Sequence, residues 1–198
     1  MLPLHAKCIK YTPSKYIKAK SKTKKLTLRD LIDEVGRDAV RFTMLTRKSD
    51  AQMEFDLTKV VEQSRENPVF YVQYAHARCR SVLRQAGDPA ADTLAEAPLD
   101  ALTDSAEQAV LRRLVAWPRV VEAAAAAREP HRIAFYLGDL ASDFHILWNR
   151  GREDATLRFI QAEQPEATRA RLALVAATAT VIRSGLAVMG VTPVEEMR

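Results

Sequence analysis

Residues 131–149 read HRIAFYLGDLASDFHILWN. At about 100° per residue, Ile133, Leu137, Leu140, Ala141, Phe144, Leu147 and Trp148 fall on one face. A half-buried strand would alternate apolar and polar residues at every second position, and this stretch does not. The stripe therefore predicts a helix with one side buried against other helices, and it sets the expectation for the whole chain.

The same period recurs on both sides of this stretch. From Ser105 onward nearly every segment reads as helix, with breaks expected at Trp117-Pro118, Glu129-Pro130, near Gly151 and at Pro165. The last helix is expected from about Glu166 to Met189, closing at Gly190. Towards the N-terminus, TLRDLIDEV (27–35) has Thr27 as N-cap, Asp30 three residues on and Gly36 as a stop, the pattern of a capped helix. DAVRFTMLT (38–46) follows as a second helix, SDAQMEFD (49–56) as an extended piece, and a helix from about Leu57 towards Asn67-Pro68. The segment 88–104, with Pro89 and Pro98, reads as a loop. No period of 20–50 residues repeats, which excludes a solenoid. The fold class expected is all-α: an antiparallel helix bundle with a small α-rich element in front.

Composition narrows the class further. The 198 residues are 47% hydrophobic and 28% charged with 6 glycines, as in an ordinary globular protein able to bury a core. The net charge of +5 is unevenly spread: residues 1–25 hold 8 of the 30 basic side chains and none of the 25 acidic ones. Residues 26–198 thus carry 22 basic against 25 acidic groups, a net of −3. The leader uses lysine alone, whereas the body uses 20 arginines and 2 lysines. Two readings of that leader stand, a solvated tail and an arm that contacts phosphates. Cys8 and Cys79 lie far apart and form no CxxC pair, which fits a reducing, cytoplasmic setting. No run of 18 apolar residues occurs, so no membrane span is expected.

The helix NPVFYVQYAHARCRSVLR (67–84) carries more polar aromatics than packing requires. Val72, Ala75, Cys79, Val82, Leu83 and Ala86 define its buried face. A second stripe, Asn67, Tyr71, Tyr74, Arg78 and Ser81, lies roughly 110° away. Flat rings beside a guanidinium make a surface on which an unstacked base can rest, each stack contributing about 1–3 kcal/mol. The same spacing also seals helix–helix boundaries, hydroxyls outward, and both readings remain open on spacing alone. His76 falls near the buried face and is expected to pack there with a backbone partner. There is no HExxH, HxxxH, CxxC, GxGxxG or GxxxxGK[ST], so neither a metal site nor a phosphate-cradling loop is expected. Asp143 and His145, two residues apart on a helix, point in different directions and suggest no catalytic triad.

TLRDLIDEVGRDAVRF (27–42), NPVFYVQYAHAR (67–78), HRIAFYLGDLASDFHILWNR (131–150) and GLAVMGVTPVEEM (185–197) together resemble the C-terminal part of bacterial arginyl-tRNA synthetases. The resemblance covers about residues 26–198. It implies a DALR-type anticodon-binding domain over 67–198, a connecting element over 26–66, and a lysine-rich leader over 1–25 outside the family's sequence. It further implies that the chain binds the anticodon loop of an arginine tRNA and discriminates its central cytosine. Carried over by position, Asn67, Tyr71, Tyr74 and Arg78 on the first long helix would contact the RNA. Phe144, Trp148 and Asn149 on the second helix and Met197 near the end would join them. The family's KMSK signature loop has its counterpart in KAKSKTKKLTL (18–28), where only Ser21-Lys22 matches. The resemblance assigns ATP and magnesium to a catalytic domain that this sequence does not contain, so this chain is expected to use no cofactor and to be inactive alone. Partners expected are tRNA and a separate catalytic domain. The alternative function is a non-catalytic helical interaction protein that docks on a partner chain.

Overall fold

The computed structural model describes residues 27–48 and 66–197, the isolated positions 51, 60, 62 and 64, and the backbone of 10–12 and 54–56. Ser21, Lys22 and nearly all of the leader lie outside the described residues, as does most of the helix expected between Leu57 and Asn67. Two short strands, β1 (Lys10–Thr12) and β2 (Glu54–Asp56), pair in parallel with Lys10 opposite Glu54. The extended piece expected within 49–56 is therefore present at Glu54–Asp56.

Seven α-helices carry the rest of the described chain. Helix α1 (Leu28–Val35) starts in a capping box: the Thr27 hydroxyl accepts from the Asp30 amide and the Asp30 carboxylate accepts from Thr27 N. Gly36, at φ 84°, ends it and opens α2 (Arg37–Leu45). That left-handed backbone suits a residue without Cβ. The long helices are α3 (Pro68–Gln85), α5 (Ser105–Ala127), α6 (His131–Glu153) and α7 (Pro165–Val188). Helix α5 packs on α6 and α6 on α7, with α3 also packed on α6 and α7. The segment read as a loop contains a short helix, α4 (Ala91–Ala95), and a 3-10 turn at Leu99–Ala101.

One core serves the bundle. Val72, Ala75 and Cys79 of α3, Leu137, Leu140 and Leu147 of α6, and Val175, Ile182 and Leu186 of α7 are all buried in it. The face expected for α6 is the face observed, with Trp148 half-buried at its margin. Helix α7 is long and apolar enough to cross a membrane by length and composition. Its apolar side is instead turned into the bundle, and it buries Arg171 among its core residues.

The break expected at Trp117-Pro118 does not occur: α5 runs unbroken through Pro118. A proline inside a helix frees the carbonyl four residues earlier, here that of Leu114. Pro118 is on the solvent side, where water can satisfy that carbonyl.

Candidate nucleic-acid interface

The N-terminus of α3 explains where its polar stripe begins. Asn67 caps the helix, accepting from Phe70 N, and Pro68 takes the first position, where a missing amide costs nothing. The Asn67 side-chain amide donates to the carbonyls of Val60 at 2.7 Å and Glu62 at 3.0 Å, and the residue is buried. Asn67 is thus a structural cap that anchors the preceding segment, not a member of the exposed stripe. Its position outside the helix makes a helical wheel inapplicable to it.

Tyr71, Tyr74 and Arg78 do share one half-buried face of α3, and Trp148 of α6 stands beside them. The Arg78 guanidinium carbon lies 4.1 Å from the Tyr74 ring centre and 4.7 Å from that of Trp148. It therefore sits between two aromatic faces, an arrangement stabilised by the negative ring quadrupoles. Arg78 also donates to Tyr74 Oη at 2.8 Å and to His145 Nδ1 at 2.9 Å.

That last bond fixes the histidine. A guanidinium only donates, so Nδ1 of His145 must accept, and Nε2 carries the proton and donates to the Tyr71 carbonyl at 3.3 Å. Burial, with Arg78 nearby, pulls the His145 pKa down to about 4 and keeps the ring neutral. The Tyr71 and His145 rings lie 4.5 Å apart and those of Tyr74 and His145 5.5 Å apart. His145 is thus the hub that joins α6 to the tyrosine face of α3. Its partner Arg78 is 67 residues away in sequence, so no local spacing announces it. As expected, Asp143 points elsewhere, and accepts from Arg113 Nε of α5 at 2.8 Å.

Phe144 is 1% exposed and stacks on Phe159 at 5.9 Å. It belongs to the core and backs Trp148 from within, so it offers no surface of its own. Asn149, next to Trp148, is exposed.

The C-terminal tail occupies the other side of α3. Gln73 donates to the Thr192 carbonyl and His76 Nδ1 to the Val194 carbonyl, and Arg80 pairs with Glu195. Arg84 reaches the Glu195 carbonyl and the Glu196 carboxylate. His76 accordingly has the backbone partner expected of it. The tail also removes Arg80 and Arg84 from any cluster with Arg78, because the chain's own acids already engage them. Met197 follows directly on this tail and is half-buried.

Beyond Trp148 lies a cleft of about 220 Å³, lined by Val82 and Gln85 of α3, Trp148 and Arg152 of α6, and Phe159 and Ile160 of the segment after α6. A buried ion pair positions that segment. Arg171 Nε meets Glu107 Oε1 at 2.6 Å, and Arg171 also donates to the carbonyls of Thr156 and Arg158. Glu107 is fully buried and closes the capping box of α5 on Asp104 N. Gly151 lets the segment approach, since a Cβ there would meet the Leu157 carbonyl oxygen at 2.9 Å. No cluster of metal-ligating side chains occurs among the described residues.

Comparison with known proteins matches residues 72–197 to the DALR anticodon binding domain. The chain is 66% identical over 179 residues to the arginine–tRNA ligase of Gluconobacter oxydans, and 60% identical to that of Xanthobacter autotrophicus. Each of these matches covers 87% of this chain and 30% of the relative's length. The arginyl-tRNA synthetase structure from Thermus thermophilus superposes with a TM-score of 0.66 at 29% identity, over 92% of this chain and 30% of that one. Tyr74, Arg78 and Trp148 of the half-buried aromatic face across α3 and α6 lie inside the matched stretch, with Tyr71 one residue before it: the chain belongs to the DALR anticodon binding domain family.

Proposed function

We propose that the chain binds the anticodon loop of an arginine tRNA and reads its central cytosine. The observation that carries this is the Arg78 guanidinium held between Tyr74 and Trp148 and fastened to His145. A loop base, once splayed out, can lie against the exposed parts of Tyr71, Tyr74 and Trp148. The guanidinium has five N–H donors, and those left over from Tyr74 and His145 face the base edge. Cytosine presents two adjacent acceptors, O2 and N3, whereas uracil places a donor at N3. Donors pre-set by the protein therefore favour cytosine, because the wrong base leaves a buried donor unpaired. Asn149, exposed beside Trp148, would add an amide contact.

Within this reading, arginine–tRNA ligation belongs to the longer proteins that this chain matches over part of their length. ATP and magnesium would be used by their catalytic unit, which would be a partner of this chain. The chain's own share is RNA binding, in the cytoplasm. The test is titration of two anticodon stem-loop hairpins, one with the central cytosine and one with uracil. The cytosine hairpin is expected to bind more tightly, and Tyr74→Ala to weaken it while the fold persists. Equal affinity for the two hairpins would count against the reading and favour a helical interaction module that docks on another chain.

A further inference from the structure

The aromatic stripe does not stop at Arg78. At about 100° per residue, Tyr71, Tyr74, Arg78, Val82 and Gln85 fall within one sector of about 80°. Val82 and Gln85 line the cleft beyond Trp148. One face of Trp148 meets Arg78, and the same residue forms a wall of the cleft. The surface that faces the first base therefore continues into a second space.

Two guanidinium groups at the rim of that space are unpaired among the described residues, unlike five arginines elsewhere in the bundle. Arg80, Arg84, Arg113, Arg150 and Arg171 are all engaged by the chain's own carboxylates. Arg152 and Arg158 line the cleft and are exposed, and neither guanidinium has a hydrogen bond or ion pair among the described residues. The backbone at Arg158 is nevertheless held, since its carbonyl accepts from Arg171. An apolar wall with two uncompensated cations at its rim is complementary to a flat apolar ring that bears an anion. A cavity of about 150 Å³ accepts a benzene ring, so about 220 Å³ is room for a base.

We infer that this cleft is a second nucleotide site, which takes the base adjacent to the central cytosine against Trp148 and Ile160, with its phosphate between Arg152 and Arg158. The inference rests on the anticodon reading above and deepens it. Neighbouring bases of the loop would then part around Trp148, one on each side, so the indole would act as a wedge.

The experiment titrates the full chain with an arginine tRNA anticodon hairpin, intact and with the base deleted on either side of the central cytosine. The double variant Arg152→Gln/Arg158→Gln is expected to bind the intact hairpin about tenfold more weakly, with a salt slope shallower by about 0.7 for each phosphate it no longer neutralises. It should also lose the penalty that one flanking deletion imposes on the wild type, while discrimination at the central cytosine persists. Ile160→Glu alters a side chain that is 41% exposed, so the fold should tolerate it, and it should erase the same penalty. Unchanged affinity, salt slope and deletion penalty in both variants, with the cytosine still read, overturns the second site and leaves the first reading intact. Weaker binding without any change in the deletion penalties would mean that the cleft meets only the RNA backbone, and overturns it too. Failure of the wild type to bind the intact hairpin overturns both readings.

Discussion

Arg78 shows how a single residue can be made rigid on a surface. Its side chain has many rotamers in isolation, yet two rings and two hydrogen bonds define its plane here. Ordering it before any ligand arrives removes an entropic cost of about 0.5–1.5 kcal/mol from binding. The arrangement depends on a neutral His145, because an imidazolium could not accept from a guanidinium. The His145 pKa of about 4 lies below its ordinary 6.5, so above that ordinary value neither state binds the proton and its contribution to stability is complete. As pH falls from about 6.5 to about 4, the unfolded chain takes up a proton that the native ring refuses, and stability declines. His76, also depressed by burial, acts in the same direction. Urea unfolding at about pH 7 and about pH 5 should show this loss, and a smaller loss in His145→Gln. At this scale the sequence was legible only where the neighbours are local. Tyr71, Tyr74 and Arg78 share a helix and could be placed by period. His145 and the buried state of Asn67 depend on contacts made across the fold or outside the helix, which a wheel does not represent.

Among the elements, the segment between α6 and α7 is the least regular piece beside the site, and the one most dependent on a buried charge. Arg171 is paired with Glu107, whose side chain has no exposure, and the same guanidinium clamps the carbonyls of Thr156 and Arg158. Replacing Arg171 by Met would strand a carboxylate in the interior, a loss of about 3–5 kcal/mol, measurable as a lower urea midpoint. Capping signals were readable in advance at α1 because Thr27 and Asp30 are three residues apart. Pro118 misled for a physical reason: its rule concerns the carbonyl it frees, and burial of that carbonyl is a tertiary property. The Glu107–Arg171 pair spans 64 residues, so no motif could have joined its halves.

For the molecule as a whole, the hydrophobic period was sufficient to give the class, because a bundle buries each helix along one stripe. The residues expected to face inward on α6 do so, from Ile133 through Leu147. Leu140, fully buried between helices, should cost about 2–5 kcal/mol when truncated to Ala; calorimetry or denaturant titration would measure it. The order in which the helices associate was less legible, since apolar stripes do not name their partners. The strap formed by Thr192–Glu196 has a further bearing on how the molecule comes to be made. During synthesis on the ribosome, α3 emerges early, but the carbonyl that accepts the hydrogen bond of His76 Nδ1 belongs to Val194, 118 residues later. Arg80 can meet Asp88 only eight residues on, but that imidazole stays unserved until the strap has left the exit tunnel, which makes closure of the strap over α3 a late event.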